Sequence, residues 1–86
     1  MKLYLDTHIV IWLYEGKFNR FSNDVLSLMA NSELFISPLI SLELTYLHEI
    51  RRIKTPSHQM IDTLSQEIGL KICDLPFSQV IQSAIQ

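Results

Sequence analysis

The sequence predicts an α/β fold, a short parallel sheet of about three strands flanked by helices. Three observations lead there. Brief apolar runs recur at residues 2–5, 34–36 and 70–73, each too short for a helix. Two helical patterns separate each run from the next. Strands joined through helices imply right-handed crossovers, and hence parallel pairing.

Each element has a local reason. Lys2-Leu3-Tyr4-Leu5 reads as a buried strand that Asp6 closes. Asp6-Thr7 offers cap chemistry for a helix over residues 9–14, and Gly16 suits its stop. Ser22-Asn23-Asp24 caps a second helix, with Val25, Leu28 and Met29 at helical spacing, and Asn31-Ser32 breaks it. After the second strand, Ser37-Pro38 gives a cap followed by proline at the first helical position, so a third helix begins there and runs to about Lys54. Thr55-Pro56 repeats the start signal, and Gly69 ends the fourth helix. The third strand ends at Asp74. Phe77, Val80, Ile81, Ala84 and Ile85 then step at helical spacing to the last residue, with no cap, glycine or polar tail. That pattern predicts that residues 1–86 are part of a larger domain whose C-terminal portion is missing.

Composition narrows the function classes. At 86 residues this is one domain, and 48% hydrophobic with 19% charged residues excludes a disordered chain. Seven basic against nine acidic residues give a net charge of −2. That argues against coating nucleic acid by bulk charge, but not against an enzyme that cuts it. The single cysteine, Cys73, forms no internal disulfide and reads as a small buried apolar residue in a strand. Asp6 interrupts the first apolar stretch, so no signal peptide is read. No run approaches the ~18 apolar residues of a membrane span. A reducing cytoplasm is the expected compartment.

Parallel sheets gather chemistry at the carboxyl ends of their strands. Asp6, Ser37 and Asp74 all fall just past strand ends. On a helical wheel of about 100° per residue, Glu43 falls within the apolar stripe of Leu39, Tyr46, Leu47 and Ile50. A carboxylate facing a core costs several kcal/mol unless it is paired, protonated or bound to metal. The plainer reading is an acid near a helix start that looks into a wet cleft. For Asp6 the plain reading is a turn residue capping a helix. If the first two strands are neighbours, however, Asp6 and Glu43 converge, and two carboxylates with water suit Mg²⁺ or Mn²⁺. No His or Cys spacing suits zinc, and no glycine-rich phosphate loop is present.

The stretch Leu3-Tyr4-Leu5-Asp6-Thr7-His8, followed by Ile9-Val10-Ile11-Trp12, resembles the start of a PIN domain. Ile36-Ser37-Pro38-Leu39-Ile40-Ser41-Leu42-Glu43-Leu44 is similar to that family's second motif. The likeness is strongest to the VapC-type toxins of bacterial toxin–antitoxin pairs. It covers the whole chain, but only the N-terminal two thirds of the family's domain. The resemblance implies a three-layer PIN-like fold and a metal-dependent endoribonuclease. In it Asp6 and Glu43 are the first two acids of a carboxylate cluster, catalytic and metal-ligating, and Thr7 is the supporting hydroxyl. It also implies Mg²⁺ or Mn²⁺ as cofactor, RNA as substrate, a cognate antitoxin as partner and a homodimer. The family needs further acids on a later segment, beyond residue 86. Asp74 lies at a strand end and could approach the cleft; the plain reading is a turn residue before Pro76, and the family assigns it no role.

Other residues read more simply. Trp12 reads as core or interface rather than a substrate platform, His8 faces solvent or else RNA, and His48 and His58 are solvated. Arg51, Arg52 and Lys54 complement the dipole at the end of the third helix, or else contact RNA phosphates. Two functions follow. One is the ribonuclease. The other is a catalytically dead remnant that binds an antitoxin or a second copy of itself through exposed apolar residues such as Trp12, Leu13 and Phe18.

Overall fold

The computed structural model describes residues 1–73. Their elements run β1 (Lys2–Tyr4), α1 (Thr7–Glu15), a 3₁₀ turn at Phe18–Arg20, α2 (Asn23–Ala30), β2 (Glu33–Ile36), α3 (Pro38–Glu49), α4 (Ser57–Ile68) and β3 (Lys71–Ile72). The three strands form one parallel sheet in the order β1-β2-β3. Leu3 lies opposite Leu34, and Ile36 opposite Ile72. The α/β class and the parallel pairing are thus as the sequence predicts, and β1 and β2 are direct neighbours. The helix expected around residues 77–85, and Asp74, lie outside the described residues.

The sheet's side-chain alternation decides where the core sits. Leu3, Leu5, Leu34 and Ile36 join a cluster that includes Val10 of α1, Met29 of α2, Leu44 of α3 and Met60, Ile61 and Leu64 of α4. All four helices therefore share one face of the sheet. The opposite face carries Lys2, Tyr4, Phe35 and Lys71. There the Tyr4 and Phe35 rings stack at 5.6 Å, and both lysine ammonium groups lie over Phe35. Among the described residues the architecture is two layers, sheet and helices. Cys73 is buried and carries a free thiol.

Helix boundaries follow their caps. Asp6 Oδ1 accepts the Ile9 N–H at 3.0 Å, so α1 starts at Thr7, two residues before the apolar pattern suggests. Ser22 Oγ accepts the Val25 N–H at 3.2 Å and starts α2. Ser37 precedes Pro38 as expected, though its hydroxyl makes no capping bond. Proline at the first helical position has no N–H to satisfy there.

The third helix differs from the sequence reading in two ways. It stops at Glu49, because the chain turns out of the helix at Ile50 and Arg51 rather than continuing to Lys54. Its buried side is also not the expected stripe. Leu44 is wholly buried and Ile40 packs beside it, whereas Leu42, Tyr46 and Ile50 are 60%, 58% and 44% exposed. An apolar stripe on a wheel reports hydrophobicity, and here the side that packs on the sheet is a different one.

Candidate functional site

Two strand-to-helix corners build the site. β1 and β2 run parallel and in register, so the residues that follow them emerge at the same edge of the sheet. The first corner delivers Asp6 and Thr7, and the second starts α3, which carries Glu43 one and a half turns in. Thr7 is 4% exposed, and its Oγ1 donates a 2.8 Å hydrogen bond to Glu43 Oε2, linking positions 36 residues apart. This bond satisfies a buried hydroxyl that would otherwise be costly to leave unpaired.

Asp6 and Glu43 are both exposed, so Glu43 follows the plainer reading, a solvated acid, although the wheel places it in an apolar stripe. Its neighbour Leu44 takes the core position, and helical phase turns Glu43 outward toward Thr7. Both acids thus lie at one edge of the sheet, Asp6 as the residue before Thr7 and Glu43 as the acceptor of the Thr7 hydroxyl. Each keeps an oxygen outside any hydrogen bond among the described residues, because Asp6 commits only Oδ1 and Glu43 only Oε2. The Asp6 charge also lies at the N-terminus of α1, where the helix dipole favours it.

Two exposed carboxylates with uncommitted oxygens fit a hard divalent cation that keeps much of its water shell. Among the described residues no group of three or more His, Cys, Asp or Glu gathers as a metal cage. A pair of carboxylates is an all-oxygen donor set, the chemistry Mg²⁺ or Mn²⁺ takes, without the His or Cys ligands typical of zinc.

The remaining candidates divide clearly. Trp12 packs edge-on against Phe21 at 5.9 Å, with the Arg20 guanidinium 5.2 Å above its ring, so it is a packing residue. His8 is exposed and leans toward Trp12 at 6.1 Å. His58 is exposed and His48 half-buried. Of the apolar residues named for a partner surface, Phe18 is exposed, while Trp12 and Leu13 are half-buried against the core. Sequence reasoning missed the exposed line Leu42–Tyr46–Ile50: Tyr46 and Ile50 read as part of an interior stripe, and Leu42 is not singled out. It also missed the turn at Arg51, where no glycine marks the helix end.

No protein-family model, no curated protein and no solved structure matches this chain. No helix among the described residues is long and apolar enough to cross a membrane.

Proposed function

We propose that this chain is a metal-dependent endoribonuclease of the toxin–antitoxin type with a PIN-like fold, acting on RNA at the edge that carries Asp6 and Glu43. The observation behind this reading is the Thr7–Glu43 hydrogen bond. It ties together the two stretches that resemble the family's motifs, joining Glu43 to the residue that follows Asp6. Asp6 is oriented through Oδ1 by the Ile9 N–H, which leaves Oδ2 for a cation. Glu43 is oriented through Oε2 by the buried Thr7 hydroxyl, which leaves Oε1. Asp6 and Glu43 would hold Mg²⁺ or Mn²⁺, which would supply an activated water and neutralise charge on the phosphodiester. The chain's part is to fix both carboxylates before substrate arrives, so that little reorganisation is left for the reaction.

Incubating the purified chain with a mixed RNA pool and Mn²⁺, beside an Asp6→Asn control, tests this. Cleavage by the parental chain is expected, reduced in Asp6→Asn by on the order of 100-fold or more. Equal cleavage by both proteins would sink the assignment.

A second reading has its own observation. Leu42, Tyr46 and Ile50 place three exposed apolar side chains at i, i+4 and i+8 along α3. Such a line suits a protein partner, either an antitoxin or a second copy in a homodimer. Co-elution with a partner protein and no RNA cleavage would favour a catalytically dead binding module.

A further inference from the structure

Helices α1 and α3 end in the same backbone motif with different residues at its critical position. In α1, Gly16 donates to the Leu13 carbonyl at 3.3 Å and Lys17 to the Trp12 carbonyl at 2.9 Å. In α3, Arg51 donates to the His48 carbonyl at 3.1 Å and Arg52 to the Leu47 carbonyl at 2.9 Å. These are the paired closing bonds of a Schellman ending, which requires a left-handed residue. Gly16 meets that need with φ +73°, and Gly69 ends α4 with φ +71°. At the end of α3 the residue is Arg51, with φ +62°, and it is the one non-glycine at positive φ among the described residues. An arginine there is strained where glycine is not. A strained residue that persists points to a use for its side chain.

The surroundings indicate that use. Arg51, Arg52 and Lys54 are all exposed, and none makes an ion pair or hydrogen bond through its side chain among the described residues. α3 has already ended at Glu49, so these cations stand on a turn rather than within the last helical turn. An open groove of about 580 Å³ is lined by His8, Leu47, Ile50 and Arg52 together with Lys17 and Glu15, which pair with each other at 3.3 Å, so Arg52 is its unpaired cation among the described residues. His8 lies two residues after Asp6, so the groove wall includes the first turn of α1, the turn that Asp6 caps. Glu43 lies six positions before the end of α3, ~9 Å at the helical rise, and the cationic turn follows directly. A single strand whose scissile phosphate lies at Asp6 and Glu43 can therefore lay its neighbouring phosphates on the cationic turn.

We propose that the cationic turn, Arg51 and Lys54 beside the groove-lining Arg52, is a phosphate-binding site for single-stranded RNA, and that its charge is why a glycine position holds an arginine. The inference rests on the nuclease reading for its choice of ligand, and it is a binding site rather than part of the chemistry.

The test is fluorescence anisotropy with a labelled 12-nucleotide oligouridine in EDTA, so that cleavage plays no part. Parental chain, Arg51→Gly, Arg52→Ala and a Lys2→Ala control on the opposite sheet face are titrated across a salt series. Arg51→Gly keeps the backbone motif and relieves its strain, so its Tm should match or exceed the parental value by a few degrees. Its Kd should nonetheless rise several-fold, and its slope of log K against log salt should fall by roughly 0.7, one single-strand phosphate contact. Arg52→Ala should do likewise, and Lys2→Ala should leave Kd unchanged. An Arg51→Gly protein with the parental Kd and salt slope overturns the proposal, as does a parental chain that does not bind the oligomer. The two readings fail separately. Binding that depends on Arg51, without RNA cleavage in Mn²⁺, keeps the phosphate site and removes the nuclease. Cleavage by Arg51→Gly with the parental KM keeps the nuclease and removes the site.

Discussion

The β1–α1 and β2–α3 corners are structural equivalents that carry their acids differently. Extending the strand register two residues past Tyr4 and Phe35 places Asp6 opposite Ser37. Both are N-caps with extended backbone. At the first corner the cap is itself the acid, and one of its oxygens closes the first turn of α1. At the second corner the cap makes no side-chain bond, proline removes a free N–H, and the acid comes six residues later. Asp6 is thus placed by its own capping bond, and its structural and chemical roles are entangled. Glu43 is placed by helical phase, set by Leu44 beside it, and by a hydrogen bond from the other corner. Replacing the two acids should therefore have different consequences, although the proposed site uses both.

The largest effect should come from disturbing that phase. Leu44 is completely buried and is the one fully buried side chain of α3. Truncation in Leu44→Ala should cost about 2–5 kcal/mol, the range for a buried leucine that leaves a cavity. In a chain of 86 residues that is a large share of the total stability. Urea unfolding followed by circular dichroism would measure it. A loss below about 1 kcal/mol would mean that α3 is held chiefly by other contacts, and that Glu43 is not positioned by Leu44.

Next in size is the double role of Asp6. Asp6→Ala removes both charge and cap, whereas Asp6→Asn keeps an oxygen that can accept from Ile9. Alanine should be less stable than asparagine by about 1 kcal/mol, the usual worth of an N-cap. Both should lose cleavage equally if the charge serves the metal. Thermal unfolding of the two variants side by side gives the difference. Equal melting temperatures would show that the Asp6–Ile9 bond adds nothing, and the contrast between the corners would collapse to a difference in sequence position.

Much of this arrangement is legible in the sequence. Three short apolar runs, caps at Asp6 and Ser22 and glycine stops at residues 16 and 69 all report local chemistry, and the backbone follows it. The neighbouring of β1 and β2, on which the meeting of Asp6 and Glu43 depends, enters the sequence reading only as a condition. What the sequence hides is the choice between two possible interior sides of α3. Leu39, Tyr46 and Ile50 outweigh Leu44 on a wheel, yet the sheet accepts Ile40 and Leu44. That choice is made by the shapes of β2 and α4, which no local window contains. The end of α3 is hidden for a related reason. Arg51 takes a left-handed conformation against its intrinsic preference, because the chain must turn there to begin α4.

The smallest expected effect isolates the contact between the corners. Thr7→Val keeps the buried shape but removes the donor to Glu43. A hydrogen bond to a charged group is worth roughly 1.5–3 kcal/mol when both partners are sealed from water. Here Glu43 is exposed and recovers a water in exchange, while the valine methyl occupies a site that no longer has to accommodate a hydroxyl. The net loss of stability should stay below about 1 kcal/mol for that reason. Activity should fall further than stability, since Glu43 would sample several rotamers rather than one. As Thr7 acts through another residue, the loss should appear in kcat with KM for RNA little changed. Thr7→Ser, which restores the hydroxyl, should recover most of it. If Thr7→Val cleaves RNA at the parental kcat, helical phase alone positions Glu43, and the bond between the corners serves only to satisfy a buried hydroxyl.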